Sequence, residues 1–446
     1  MKQSPKVLKL VIHLRCNDIK YADYIGKEVT VRGWVHRLRK QKENTFMLIR
    51  DDRGGVIQCV LAAEKALTLT IESCIEVTGK LQQDSRAPEG GYEIRATDLK
   101  IYGVAKVGYP IGEYQSEDLL LDNRHLAVRT RRMSTIAKIR ASILKYARQW
   151  FIENNWLEVN VPVIVKDAVE GGSTLFKVRY FDDDAYLSQS AQLYLEAMVF
   201  SLGPVWSVTE SFRAEKSRTV RHLAEFTHME AEAPWIILDD LLRIQEKLIS
   251  YIVQNTVSEN SADLGYLKRD LSDLKSIEPP FDTLSYEKVI EILRSKDFAI
   301  IEDNGNERKI EWGDDLNVDS ERELTRNRSK PIFVVDFPIS LKPFYVKEDH
   351  EKEGIGLSAD MLAPQGFGEI SSGGERENDI TSITKRMEKE ALDPKAYDWY
   401  LDLRRYGSVP HAGFGMGIER LVRWIANLQD IKDTVLFPRT MSRVKP

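Results

Sequence analysis

Apolar and polar residues alternate with period two through four runs near the start of the chain, VTVRGWVHRLRKQ, TFMLIRDDRGGVIQCVL, SCIEVTGKLQQ and GYEIRATDLKIYG, with glycine and polar turns between them. Such alternation puts every second side chain on one face of a strand. Short strands at this spacing predict a five-stranded barrel over residues 1–104. Residues 105–133 lose the periodicity and read as a hinge. From Ser134 the period becomes helical: Ile136, Ile139, Ile143, Ala147 and Phe151 form one stripe that ends near Asn154 and Asn155. WLEVNVPVIV then reads as a strand closing at Pro162, and AYLSQSAQLYLEAMVFSL as a further strand.

The strongest pattern lies in residues 205–235, VWSVTESFRAEKSRTVRHLAEFTHMEAEAPW, where two alternating runs flank a basic loop. Ser211, Arg213 and Glu215 share a parity on the first run, and Phe226, His228, Glu230 and Glu232 on the second. If the two faces coincide, one hairpin presents an arginine, an aromatic ring and several carboxylates. Residues 236–320 are mixed helix and polar loop to which no chemistry attaches. PIFVVDFP is a strand, and in HAGFGMGIERLVRWIANL three alternating glycines run into an amphipathic helix carrying Ile418, Leu421, Val422 and Ile425. Strands before, between and after helices, without strict alternation, predict a mainly antiparallel α+β domain over residues 134–446.

Composition narrows the field. The 446 residues suit two or three domains, and 42% hydrophobic with 30% charged residues is a globular composition. No apolar run approaches the ~20 residues that span a bilayer, and no small-residue cleavage pattern follows the short apolar patch at the start. The expected location is the cytoplasm, with no membrane partner. Cys16, Cys59 and Cys74 are odd in number with no CxxC pair, and the seven histidines include no HExxH. Those counts disfavour disulfides and structural zinc; any metal would be a hard cation on carboxylates and phosphates.

The candidate chemistry fits a nucleotide triphosphate. Arg213, with Lys216, Arg218, Arg221 and His222 in or near the loop, offers cations for phosphate, Phe226 a flat surface for a base, and the glutamates acceptors for amines. Gly413, Gly415 and Gly417 leave one strand face bare, and Arg420 falls in the first turn of the following helix. Asp360, Glu369 and Ser372 supply the oxygen donors Mg2+ prefers, and Arg376 can pin a substrate group. Glu170, before Gly171 and Gly172, lies on a loop able to close over a substrate. No covalent nucleophile is evident. Attack of a substrate carboxylate on the ATP α-phosphorus needs none. In the barrel, His36, Arg37, Arg39, Lys40 and Lys42 adjoin the strand of Phe46. That combination serves single-stranded nucleic acid, and a core phenylalanine beside a solvated charge run is the equal alternative.

These residues carry a family resemblance. FRAE (212–215) with RHLAEF (221–226) resembles motif 2 of the class II aminoacyl-tRNA synthetases, GFGMGIER (413–420) resembles motif 3, and the helix and strand ending at Pro162 resemble motif 1. With an OB-fold barrel in front, the chain resembles the aspartyl/asparaginyl/lysyl subgroup almost end to end. QSAQLYLEA has Leu195 where aspartyl members carry a lysine, Glu230 stands where they carry aspartate, and EGGSTLF, YLDLRRYGSVPH and GWVHRLRKQ are similar to the asparaginyl branch of archaeal and eukaryotic cytoplasmic type.

The resemblance implies an ATP site of Arg213, Glu215, Arg221, His222, Phe226, Glu369, Ser372, Gly417 and Arg420, with Arg213, Arg420 and Glu369 catalytic. It implies Mg2+ on Asp360, Glu369 and Ser372, an amino-acid pocket of Glu170, Gln192, Glu230 and Arg376, and a central anticodon U read by Phe46, Gln58 and Glu93. It further implies a homodimer through the region near Pro162. The implied reaction joins asparagine to ATP as an adenylate and passes the acyl group to the 3′ end of tRNA(Asn). Aspartate as the amino acid, an ammonia-dependent asparagine synthetase and a non-catalytic RNA-binding relative stand as alternatives.

Overall fold

The computed structural model describes residues 12–16, 21–88, 90–112, 115–166, 175–216, 221–301 and 305–446. The chain divides into two compact units, Met1–Thr135 and Ile136–Lys445.

In the first unit the strands are β1 (Ile12–Leu14), β2 (Glu28–Lys40), β3 (Asn44–Arg50), β4 (Val56–Ala62), β5 (Cys74–Gln83) and β6 (Tyr92–Gly103). They pair in the order β1-β2-β3-β4-β6-β5, and β2 also pairs with β5. That last pairing closes β2 to β6 into the expected five-stranded barrel, with β1 added in parallel. Closure works because β2 is long: residues 28–34 pair with β5 and residues 34–40 with β3, across a register shift at Val35. The inward face of the alternation, including Val29, Val31, Met47, Ile49, Ile57, Ile75, Val77 and Ile94, is buried. Each such side chain contributes ~1.5–3 kcal/mol by leaving water.

The connector read as a hinge contains short helices. It holds α1 (Glu117–Asp122), capped by Ser116, and α2 (Arg124–Ala127), and the long helix α3 (Arg131–Glu153) starts three residues before Ser134. Four- to six-residue helices are too short to show a period. The apolar stripe of α3 is buried as its spacing requires, and Phe151 stacks on Trp206 at 4.4 Å. Past its end Asn155 takes the left-handed conformation, φ +63°, that asparagine tolerates at a helix terminus.

The second unit continues with β7 (Leu157–Glu158), β8 (Ile164–Val165), β9 (Lys177–Tyr180), β10 (Asp183–Leu187), α4 (Gln192–Leu202), β11 (Val205–Phe212) and β12 (Glu225–Pro234). Two expectations are corrected here. WLEVNVPVIV is two short strands rather than one, because Pro162 has no N–H for a ladder. AYLSQSAQLYLEAMVFSL is strand only as far as Leu187 and then becomes α4, whose Leu193, Leu195, Glu196 and Val199 are all buried. A helix buried on most sides has no polar stripe and reads like a core strand.

There follow α5 (Leu238–Glu259), α6 (Ser261–Tyr266), α7 (Leu271–Lys275), β13 (Asp282–Ser285), α8 (Tyr286–Ser295), β14 (Ala299–Ile301), β15 (Glu307–Lys309) and α9 (Val318–Thr325). The chain ends with β16 (Ile332–Pro338), β17 (Ile355–Ala363), β18 (Gly368–Glu375), α10 (Ile380–Lys389), α11 (Asp398–Arg405), β19 (His411–Gly417) and α12 (Ile418–Ile425). Among the described residues one sheet runs β13-β16-β17-β18-β19-β12-β11-β7. It is antiparallel except at its two edges, where β13 and β7 pair in parallel. The expected α+β class is therefore observed, and β13, from a segment read only as helix and loop, supplies an edge. Among the described residues no helix is long and apolar enough to cross a membrane.

Candidate active site

The site occupies one face of the central strands. In the β11–β12 hairpin Ser211 lies opposite Phe226, Thr209 opposite His228, Ser207 opposite Glu230 and Val205 opposite Glu232. Opposed residues share a face, so the two parities read from sequence coincide. On the other side of β12, Gly417, Gly415 and Gly413 of β19 lie opposite His228, Glu230 and Glu232. Gly413 and Gly415 are spatial necessities. A Cβ on Gly413 would lie 2.1 Å from the Glu232 carboxylate, and one on Gly415 2.6 Å from His228 Nε2.

Ser372 of β18 pairs with Gly415 and, on its other side, with Asp360 of β17, which extends the same face. Glu369 has the wrong parity to join Ser372, and a bulge corrects it: Met361 pairs with Ser371 but Leu362 with Glu369, so one extra residue turns Glu369 onto the face of Asp360.

A cavity of about 190 Å³ opens on this face. At one end its wall holds Arg213, Arg221, His222, Phe226, Glu369, Gly417 and Arg420. The Arg213 guanidinium lies 5.6 Å from the centre of the Phe226 ring. Arg420 Nη1 donates to Glu369 at 2.7 Å, and Arg221 Nη1 to Glu321 at 2.7 Å. Glu321 also accepts from the Glu369 backbone N–H at 2.9 Å. Burial would raise the Glu369 carboxyl, but Arg420, Arg221 and Lys342 hold it below its usual range. Burial depresses His222, and Arg420, Arg221 and Arg213 depress it further against the pull of Glu215 3.6 Å away.

At the other end the wall holds Ser190, Gln192, His228, Glu230, Glu232, Tyr345 and Arg376. Glu230 accepts from the Ser190 hydroxyl and, at 2.7 Å, from the Ala191 backbone N–H, so its carboxylate is fixed by the turn into α4. Arg376 is paired with Glu232, its Nε donating at 2.9 Å, and lies over the Tyr345 ring at 5.5 Å. Burial and the charge of Glu196 push the Glu232 carboxyl up to about 7 in spite of Arg376. Behind this end Glu196 is fully buried and accepts from Gln192, Tyr400 and Arg404, and His411 Nε2 lies 3.0 Å away. Leu195 is buried with Ala191, Val199 and Val205 and brings no cation to the wall.

Two expected site residues stand outside the wall, and two more lie outside the described residues. Glu215 is outside the cavity wall, beside His222. Asp360 is not part of the wall but is tied to two of its residues, accepting from Lys342 Nζ at 2.8 Å and Ser372 Oγ at 2.6 Å. Glu170 and Arg218 lie outside the described residues. Conversely Lys342, Tyr345 and Ser190 line the cavity without having been singled out, and His228 lines it without having been given a role. His228 shares the parity of Phe226 and Glu230 and was legible; Lys342, in the irregular LKPFY, carries no motif.

In the first unit Phe46 and Gln58 line a second cavity, of about 710 Å³, with His36, Arg37, Arg39, Arg50, Arg86 and Arg129 in its wall. Arg39 lies opposite Phe46 in the β2–β3 ladder, 5.0 Å from its ring centre. Glu93 is not part of that wall. It is buried and accepts from Gln58 Nε2 at 2.8 Å and Gln82 Nε2 at 2.8 Å, which fixes the Gln58 amide from behind.

A family model described as tRNA synthetases class II (D, K and N) matches residues 116–441, and one described as OB-fold nucleic acid binding domain matches residues 29–102. The chain belongs to the class II tRNA synthetases of the D, K and N group. The asparagine–tRNA ligase of Pyrococcus abyssi is 47% identical, over 97% of this chain and 99% of its own. That of Thermococcus gammatolerans is 45% identical with the same coverage. The structure of asparaginyl-tRNA synthetase from Pyrococcus horikoshii complexed with asparaginyl-adenylate matches with a TM-score of 0.91 at 45% identity, covering 97% of this chain and 99% of that one. Within the group, this chain belongs with the asparagine–tRNA ligases.

Proposed function

We infer that the chain activates asparagine with ATP and transfers it, through asparaginyl-adenylate, to the 3′ end of tRNA(Asn) in the cytoplasm. The observation that carries this reading is a single cavity with an arginine–aromatic–arginine set, Arg213, Phe226 and Arg420, at one end and Glu230 with a Glu232-paired Arg376 at the other.

In this reading Phe226 stacks on adenine, Arg213 binds the α-phosphate, and Arg221, His222, Gly417 and Arg420 receive the distal phosphates, with Glu215 near the adenine amine. The asparagine carboxylate attacks the α-phosphorus in line, and Arg213 neutralises the charge that develops there. A preorganised donor of this kind contributes ~10²–10³ in rate. Arg420 exchanges Glu369 for the departing pyrophosphate. Asp360, Glu369 and Ser372 would hold Mg2+; two carboxylates and a hydroxyl turned onto one face by the bulge are the oxygen donors that ion takes. When bound, Mg2+ would neutralise the charge of the triphosphate.

Gln192, Glu230 and Arg376, with Glu170 from its loop, form the amino-acid pocket. Glu230 accepts from the side-chain NH2 of asparagine and repels the carboxylate of aspartate, and Glu232 offsets much of the charge on Arg376. Phe46 and Gln58, the latter held by Glu93, read the central anticodon U. The active form is a homodimer through the region near Pro162. Charging of a tRNA(Asn) transcript with labelled asparagine tests the reading. Charging that falls when the central anticodon U becomes C is expected; no charging of the native transcript would refute it.

A further inference from the structure

Lys342 of the cavity wall is ion-paired with Asp360. Lys342 and Ser372 are in the cavity wall and Asp360 is not. The two oxygens of the Asp360 carboxylate are already occupied, Oδ2 by Lys342 Nζ at 2.8 Å and Oδ1 by Ser372 Oγ at 2.6 Å. The ion pair is sheltered, with 11% of the Lys342 side chain and 17% of that of Asp360 exposed. The ammonium also lies 3.6 Å from the centre of the Phe337 ring, so it keeps one favourable contact if it leaves the carboxylate. Its backbone is fixed, because Arg386 Nη2 donates to the Lys342 carbonyl at 2.6 Å. Only the flexible four-carbon stem is left to move.

A carboxylate that already accepts from an ammonium and a hydroxyl is a poor ligand for a divalent ion. The ion must compete with a sheltered charge at hydrogen-bond distance. Triphosphate entering the cavity changes that balance, since it brings several negative charges to the wall in which Lys342 stands.

We propose that Lys342 is a resident counter-cation that latches Asp360 shut, and that nucleotide draws it away and so frees the carboxylate to ligate the divalent ion. The inference rests on the reading that Asp360, Glu369 and Ser372 hold Mg2+. It makes metal binding at this carboxylate conditional on nucleotide. The structure also gives the ligand-free site its own charge balance, Lys342 on Asp360 and Arg420 on Glu369.

Mn2+ titration of the full-length enzyme, followed by electron paramagnetic resonance with and without the non-hydrolysable analogue α,β-methylene-ATP, tests this without turnover. Without nucleotide, Lys342→Met binds Mn2+ about tenfold or more tightly than the unaltered chain. Lys342→Arg, which keeps the charge, retains the requirement for nucleotide, and Asp360→Asn in the Lys342→Met background abolishes the gain. Equal nucleotide-free affinity in Lys342→Met and the unaltered chain would overturn the latch, as would a gain that persists with Asp360→Asn. Nucleotide-dependent Mn2+ binding that survives unchanged in both Asp360→Asn and Glu369→Gln would overturn the metal reading itself, and the latch with it.

Discussion

At the scale of single residues, the site depends on charges held away from water by partners of opposite sign. Glu196 is the most committed: Gln192, Tyr400 and Arg404 all donate to it, and it and Arg404 are fully buried. Burial alone would raise its carboxyl, but Arg404 and His411 hold it below the usual range. An acid with a lowered folded pKa stabilises the fold above its unfolded value near 4.5 and loses that contribution on acidification. Glu196→Gln keeps the shape and leaves Arg404 uncompensated, and urea denaturation at neutral pH will show a loss of about 3–5 kcal/mol. His222 has the opposite character. Its imidazole is depressed from its ordinary value by burial and by the arginines around it, so the ligand-free site favours the neutral form more than water does. Triphosphate oxygens would raise it again. ATP binding will therefore take up a proton and tighten as pH falls from 7 towards 6, seen by calorimetry in two buffers of different ionisation enthalpy. His222→Gln will abolish the buffer dependence.

At the scale of elements, register decides which side chains meet. Gly413 illustrates the constraint: an added methyl would lie 2.1 Å from the Glu232 carboxylate and 2.4 Å from the Ala231 carbonyl oxygen. Over-packing of this kind costs ~1–3 kcal/mol. Because Glu232 holds Arg376, Gly413→Ala will raise the KM for asparagine more than that for ATP in pyrophosphate exchange. The hairpin face was legible from parity alone, since a period of two admits one solution once the faces coincide. Glu369 was not, because its parity disagrees with that of Ser372 and only the bulge at Met361 reconciles them. The helix α4 was misread as strand because its buried sides leave no polar stripe, and the pairing of Lys342 with Asp360 was invisible because Lys342 comes from an irregular segment that carries no motif.

At the scale of the whole molecule, the proposed function divides the labour between the two units. The barrel was readable because its strands alternate cleanly, with one face closed into a core. The eight-stranded sheet was only partly so: its parallel edges, β13 and β7, are four and two residues long and too short to carry a pattern. The assignment of RNA reading to the barrel and activation to the sheet makes a separable prediction. Phe46→Ala will raise the KM for tRNA by the ~1–3 kcal/mol of a lost base stack and leave ATP–pyrophosphate exchange unchanged.

Choice of amino acid is the central claim, and ATP–pyrophosphate exchange driven by asparagine and by aspartate in parallel measures it most directly. Glu230, fixed by Ser190 and Ala191, and Arg376, paired with Glu232, predict exchange with asparagine and little or none with aspartate. Exchange with aspartate and none with asparagine would contradict the account.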